Sequence, residues 1–262
     1  MVKQSNKTTS QIIRIKGDKI ITTEDFLVRE VPITLFLNDK EFVTMVCSPQ
    51  AVEELAIGFL CSEGLLQSLD EIKNIWYDEE NGIVYLDAPG IEAESKFLKR
   101  NITSCCGRGR PVFYFVNDAK SMNKVTTDLM ITPGMVWDLS DRLEEMSTLF
   151  QETGGVHNAA LCTPTEVVYF YEDVGRHNAV DKIFGRSFLD KIPLEDKILV
   201  FSGRISSEIV IKIGKMGLPV IISRSAPTDL GLEMAKQLGI TVIGFAKGEK
   251  MNVYTYPERI LG

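Results

Sequence analysis

The sequence predicts an α/β fold with a parallel sheet in its C-terminal half, on three observations. Short β-rich runs recur at Val167 to Tyr171, Ile198 to Phe201, Val220 to Ser223 and Ile240 to Phe245. Helical stretches at about 206–216 and 228–238 fill the gaps between the last three runs, and small, hydroxyl-bearing and basic residues follow each of those three. Strands that alternate with helices imply crossover connections and parallel pairing, so this half reads as a βαβαβ unit. The 262 residues suffice for one main domain with a smaller β-containing subdomain attached at its N-terminal side.

Taken in order, residues 1–20 carry no strong period and are expected to form a flexible arm. Ile33 to Leu37 and Phe42 to Val46 flank Asn38-Asp39-Lys40-Glu41, a hairpin pattern, because Asn and Asp tolerate turn dihedrals. Pro49 opens a helix through Leu55, Ala56, Phe59 and Leu60, which Gly64 closes. Two short strands near Ile72 to Trp76 and Ile83 to Leu86 are joined by a polar turn. The stretch from about 90 to 110 has few apolar anchors and reads as a loop. Residues 21–125 thus form the N-terminal part and residues 126–262 the α/β domain. Within the latter, Met135, Leu139, Leu143, Met146 and Leu149 recur at helical spacing and predict an amphipathic, core-facing helix.

Composition excludes several classes. A net charge of −7 opposes a broad electrostatic grip on nucleic acid, which needs a basic face. The apolar runs fall far short of the roughly 18 residues of a membrane span. The first nine residues are polar, without an apolar stretch of signal-peptide type, so a cytoplasmic location is expected. Five cysteines, an odd number without a secreted-scaffold spacing, fit a reducing compartment. Cys47, Cys61 and Cys162 sit among apolar residues and read as small core residues.

The other two thiols are different. Cys105 and Cys106 are adjacent within Thr103-Ser104-Cys105-Cys106-Gly107-Arg108-Gly109-Arg110. Cationic neighbours lower a thiol's pKa and raise the reactive thiolate fraction, so this segment reads as a nucleophile on a loop.

The three C-terminal strand ends carry Ser202-Gly203-Arg204-Ile205-Ser206-Ser207, then Ser223-Arg224-Ser225-Ala226-Pro227-Thr228, then Gly244-Phe245-Ala246-Lys247-Gly248-Glu249-Lys250. In an open parallel sheet ligands bind at this edge. Small residues admit a ligand to the backbone, hydroxyls and helix N–H groups donate, and Arg or Lys supplies charge, which together describe an anion pocket suited to phosphates. The alternative is that Ser and Thr merely cap helices while the basic side chains are solvated. Neither a Walker A run nor a GxGxxG is present.

A further constellation runs from Glu172 to Lys182, where Asp173 could orient Arg176 or His177, and Asn178 could bond a ligand edge or a loop backbone. The competing reading is an ion-pair network closing a helix start. His177 is a candidate proton handler near neutral pH, whereas His157, after a glycine pair, is as well read as a hydrogen-bonded core residue. No C-x-x-C occurs, and His157 is followed by Asn158 and Ala159 rather than x-Glu, so no metal site is expected.

These motifs, with Glu54 to Leu60, Glu63-Gly64 and Thr153 to His157, occur in the order found in the formate dehydrogenase accessory proteins of the FdhD type, which the sequence resembles from about residue 30 onward. The resemblance implies a cytidine-deaminase-like fold, whose zinc chemistry is lost with the missing glutamate at Ala159, and a homodimer. It implies a sulfurtransferase of the persulfide-carrier type. Sulfur is taken from a cysteine desulfurase and passed to the bis(molybdopterin guanine dinucleotide) molybdenum cofactor of formate dehydrogenase. Cys106, with Cys105 beside it, is the implied sulfur-bearing thiol. Phe245, Ala246, Lys247, Gly248, Glu249 and Lys250 are assigned to the cofactor's nucleotide ends. Ser202, Gly203, Arg204, Ser223, Arg224, Ser225, Thr228 and His177 assist. Many members carry C-G-x-C-G in the thiol loop, whereas here Gly109 stands in place of the second cysteine. The competing functions are a nucleotide-binding module without a covalent role, a chaperone that only holds the cofactor, and a nucleoside deaminase.

Overall fold

A computed structural model describes residues 5–91, 100–102 and 122–261. The chain begins with a two-stranded antiparallel ribbon, β1 (Lys7–Lys16) and β2 (Lys19–Val28), turning at Gly17 with φ 60°. Regular strand structure thus lies within residues 1–20, where the sequence showed no strong period and a flexible arm was expected. The pattern hid the strand because Ile12-Ile13 and Ile20-Ile21 are adjacent pairs, which put apolar side chains on both faces of the ribbon and erase the two-residue period.

The hairpin follows as β3 (Val31–Leu37) and β4 (Lys40–Cys47), joined by Asn38 and Asp39 alone. Both have positive φ, 51° and 62°, as a two-residue turn matched to strand twist requires. Helix α1 (Val52–Ser62) comes next, then β5 (Asn74–Asp78), β6 (Ile83–Asp87) and β7 (Arg100–Ile102). These strands form a sheet in the order β5-β6-β3-β4-β7.

The second half opens with α2 (Pro133–Met146), capped by Thr132, whose hydroxyl accepts from Met135 N at 3.3 Å. The single helix expected through Leu149 is broken at Ser147, whose hydroxyl turns back to Leu143 O and also accepts from Asn158; α3 (Thr148–Thr153) then starts afresh. The remaining elements are β8 (His157–Cys162), β9 (Val167–Asp173), α4 (Arg176–Leu189), β10 (Ile198–Phe201), α5 (Ser207–Met216), β11 (Val220–Ser223), α6 (Asp229–Leu238), β12 (Thr241–Gly244) and β13 (Asn252–Val253). Their sheet runs β13-β12-β11-β10-β8-β9, with β10, β11 and β12 parallel. The expected βαβαβ unit is thus present, and β8, not foreseen, joins it antiparallel to both β9 and β10.

This second sheet is covered on both faces, which explains why its strands read as unbroken apolar runs. Leu199, Phe201, Ile221 and Val242 pack with residues of α1, α4, α5 and α6, while Val200, Ile222 and Ile243 pack with Val136, Leu139 and Leu143 of α2. Helices α1 and α4 cross at two glycines. A Cβ on Gly58 would lie 1.7 Å from Asp181 O, and one on Gly185 would lie 1.9 Å from Glu54 O. One apolar core therefore runs from Leu35 and Leu37 of β3 through Leu55 and Leu60 of α1 to Leu199 of β10.

Candidate functional site

Because β10, β11 and β12 are parallel, the loops that follow them leave from one edge, and hydrogen bonds tie the three together. Ser223 is buried; its hydroxyl donates to Gly203 O at 2.7 Å and accepts from Ser225 N at 3.0 Å. Ala246 N donates to Ser223 O at 3.0 Å and Phe245 N to Ser225 O at 3.2 Å. Thr228 caps α6, its hydroxyl accepting from Gly231 N at 3.1 Å. The helix-capping alternative thus describes Thr228, and Ser223 builds the scaffold rather than facing out. Ala246 is likewise buried, its carbonyl accepting from Ser140 of α2 at 2.6 Å.

Other candidates are accessible. Arg204, Phe245, Lys247, Gly248, Glu249 and Lys250 are exposed, and Ser202 and Ser225 are half-buried. Gly203 is buried because a Cβ there would meet the Phe201 ring at 2.5 Å and Arg176 Cδ at 3.2 Å. Phe245 keeps its ring 47% exposed on a backbone with φ 54°, a left-handed conformation costly for an aromatic residue.

The segment from Glu172 to Lys182 divides in two. Asp173 does not orient Arg176 or His177. It is wholly buried, and its carboxylate accepts from Lys182 Nζ at 2.6 Å, Ser48 N at 3.1 Å, and Gly175 N and Asn178 Nδ2 at 2.8 Å each. Asn178 also donates to Val46 O at 2.8 Å, the loop-backbone option. This is the ion-pair network at a helix start, and it anchors the end of β4 to the start of α4. His177 instead faces Glu208 of α5, with Nε2 and Oε2 3.0 Å apart but off the hydrogen-bonding direction. His157 Nδ1 lies 3.5 Å from Ser202 Oγ. Burial holds its pKa below the usual histidine range, and the charges of Arg176 and His177 push the same way.

Two features set this edge apart. Arg176 Nε, His177 Nε2 and Ser206 Oγ are among the buried polar atoms that lack a hydrogen-bond partner. Such atoms cost about 1–3 kcal/mol each unless a ligand or water completes them. Carboxylates also lie within the edge: Glu208 faces His177, and Glu144 of α2 lies 2.5 Å from Arg224. Neither glutamate was singled out in sequence, since each sits on a helix where a charged residue is ordinarily solvated. A cavity of about 470 Å³ lies elsewhere, lined by Glu53, Glu54, Glu79, Tyr77 and Tyr171, and its acidity suits no phosphate. Cys105, Cys106, Arg108 and Arg110 lie outside the described residues.

The model of the FdhD/NarQ family matches residues 28–261. The chain belongs to that family. It is 45% identical over 258 residues to the sulfur carrier protein FdhD of Halalkalibacterium halodurans, covering 97% of this chain and 96% of that one. It is 46% identical over 249 residues to the protein of the same name from Bacillus subtilis, covering 94% and 95% respectively. A crystal structure described as that of a formate dehydrogenase accessory protein from Desulfotalea psychrophila superposes with a TM-score of 0.79. The two are 25% identical, with 98% of this chain and all of that one covered.

Proposed function

We propose that this FdhD/NarQ family member is a sulfur carrier that serves formate dehydrogenase maturation, acting as a sulfurtransferase of the persulfide type. The observation that carries the reading is near-full-length identity of 45% to proteins named sulfur carriers. The Cys106 thiolate attacks the terminal sulfur of a cysteine desulfurase persulfide; a new S–S bond forms on Cys106 and the donor leaves as its own thiolate. The sulfur is then handed to the bis(molybdopterin guanine dinucleotide) molybdenum cofactor, which is cargo here rather than a resident group.

The strand-end edge supports the cargo-binding part. Lys247, Lys250, Arg204 and Arg224 supply positive charge for phosphates. The exposed Phe245 ring supplies a flat apolar face for a base. The partnerless atoms of Arg176, His177 and Ser206 are what a polar ligand would complete. We place the protein in a reducing cytoplasm as a homodimer, with no nucleic acid or membrane partner. Among the described residues no helix is long and apolar enough to cross a membrane.

Mass spectrometry after incubation with a cysteine desulfurase and cysteine tests the reading. The wild type and Cys105→Ala should gain one sulfur atom, and Cys106→Ala should gain none. A wild type that binds the cofactor yet never gains sulfur would favour a chaperone that only holds it.

A further inference from the structure

We propose that Glu144 is a built-in stand-in for the ligand's anion: its carboxylate holds the place beside Arg224 that a phosphoryl group takes on binding, so that loading exchanges one anion for another. This rests on the phosphate-binding reading of the edge given above. Arg224 follows β11 and Lys247 follows β12, and both act on the same carboxylate from α2. Glu144 Oε2 lies 2.5 Å from Arg224 Nη1. The Arg224 hydrogen bond holds the Glu144 carboxyl below its ordinary range against the opposing effect of burial, with the charges of Arg224 and then Lys247 adding to it.

The helix itself gives no reason for a carboxylate there. Glu144 sits in the last turn of α2, where the helix dipole disfavours negative charge, and that turn contains no basic residue. Exposure is also asymmetric. The Arg224 side chain is 18% exposed and that of Glu144 53%, so the cation is fixed in the wall of the site while the carboxylate can swing out to solvent. A competitor that occupies the empty site lowers apparent affinity by the fraction of time it is bound. For a carrier that must release its cargo, that sets a ceiling on how tightly phosphates are held.

Calorimetric titration of the full chain with guanosine diphosphate, and separately with inorganic pyrophosphate, tests this. Glu144→Gln should bind both probes about two- to fivefold tighter, the range expected for removing a partly exposed ion pair. Glu144→Asp, too short to reach Arg224, should move the same way. Glu145→Gln, the same charge change one residue on, should bind as the wild type does, and Arg224→Gln should bind more weakly. If Arg224→Gln weakens binding but Glu144→Gln leaves it unchanged or weaker, the stand-in role is overturned while the phosphate reading survives. A gain in Glu145→Gln equal to that in Glu144→Gln also overturns it, as an effect of net charge. Failure of the wild type and every variant to bind either probe overturns both.

Discussion

Lys182 Nζ lies 2.6 Å from Asp173 Oδ2, and neither side chain reaches solvent. Lys182 also donates to Ser48 O at 3.3 Å, so the pair fastens the end of β4 to α4, the helix that begins with Arg176 and His177. Removing one partner leaves an uncompensated buried charge. Lys182→Met is therefore expected to lower stability by about 3–5 kcal/mol in urea titrations. The double variant Asp173→Asn, Lys182→Met should recover part of that loss; no recovery would mean that the lysine acts by packing.

The α1/α4 crossing leaves no room for a methyl group. Both clashes are with backbone oxygens, Asp181 O for Gly58 and Glu54 O for Gly185, and backbone cannot rotate away. Gly58→Ala or Gly185→Ala should destabilise by about 1–3 kcal/mol or more through forced separation of the helices. A melting temperature equal to the wild type's in either variant would show that the helices move apart freely.

Thiol reactivity should divide sharply. Burial pushes the thiols of Cys47 and Cys162 up to about 12, and that of Cys61 higher still, leaving essentially no thiolate at neutral pH. Iodoacetamide applied to the native protein at pH 7.5 should leave all three unmodified, and any adduct should map to the peptide carrying Cys105 and Cys106. Labelling of Cys47 without unfolding would contradict the buried placement.

His157 gives the fold a definite acid sensitivity. Its folded pKa is depressed, so the folded state binds this proton less readily than the unfolded chain does. The stabilisation is present in full above the unfolded value near 6.5 and is lost as pH falls through the depressed folded value. The urea midpoint of the wild type should therefore fall more between pH 7.5 and 5.5 than that of His157→Gln. Equal slopes would remove His157 as the cause.

Phe245 combines a strained backbone with an exposed ring. Phe245→Gly should leave stability unchanged or raise it by up to about 1 kcal/mol, because glycine accepts φ 54° freely. The same change should weaken guanosine diphosphate binding. Unaltered binding would show that the ring takes no part.

Where local chemistry dictates structure, the sequence was legible. The run Asn38 to Glu41 marks a hairpin, which the structure closes on Asn38 and Asp39, and the runs from Ile198, Val220 and Ile240 mark strands of a parallel sheet. Strand β8 was missed because Asn158-Ala159-Ala160 is small and polar for a strand and owes its place to pairing with β9 and β10. At the edge, the three loops and their basic residues could be read from strand ends alone. The engagement of Ser223 in holding Gly203, and the pairing of Arg224 with a glutamate 80 positions away in sequence, depend on tertiary contacts that no local pattern encodes.

The interior that joins β3 and α1 to β10 and α5 bears on how this protein can be divided. Severing the polypeptide near position 125 would strip the greasy lining from both pieces at once. Neither half is then a module that evolution or an engineer can borrow alone; the strand-end edge travels with the hairpin sheet or not at all.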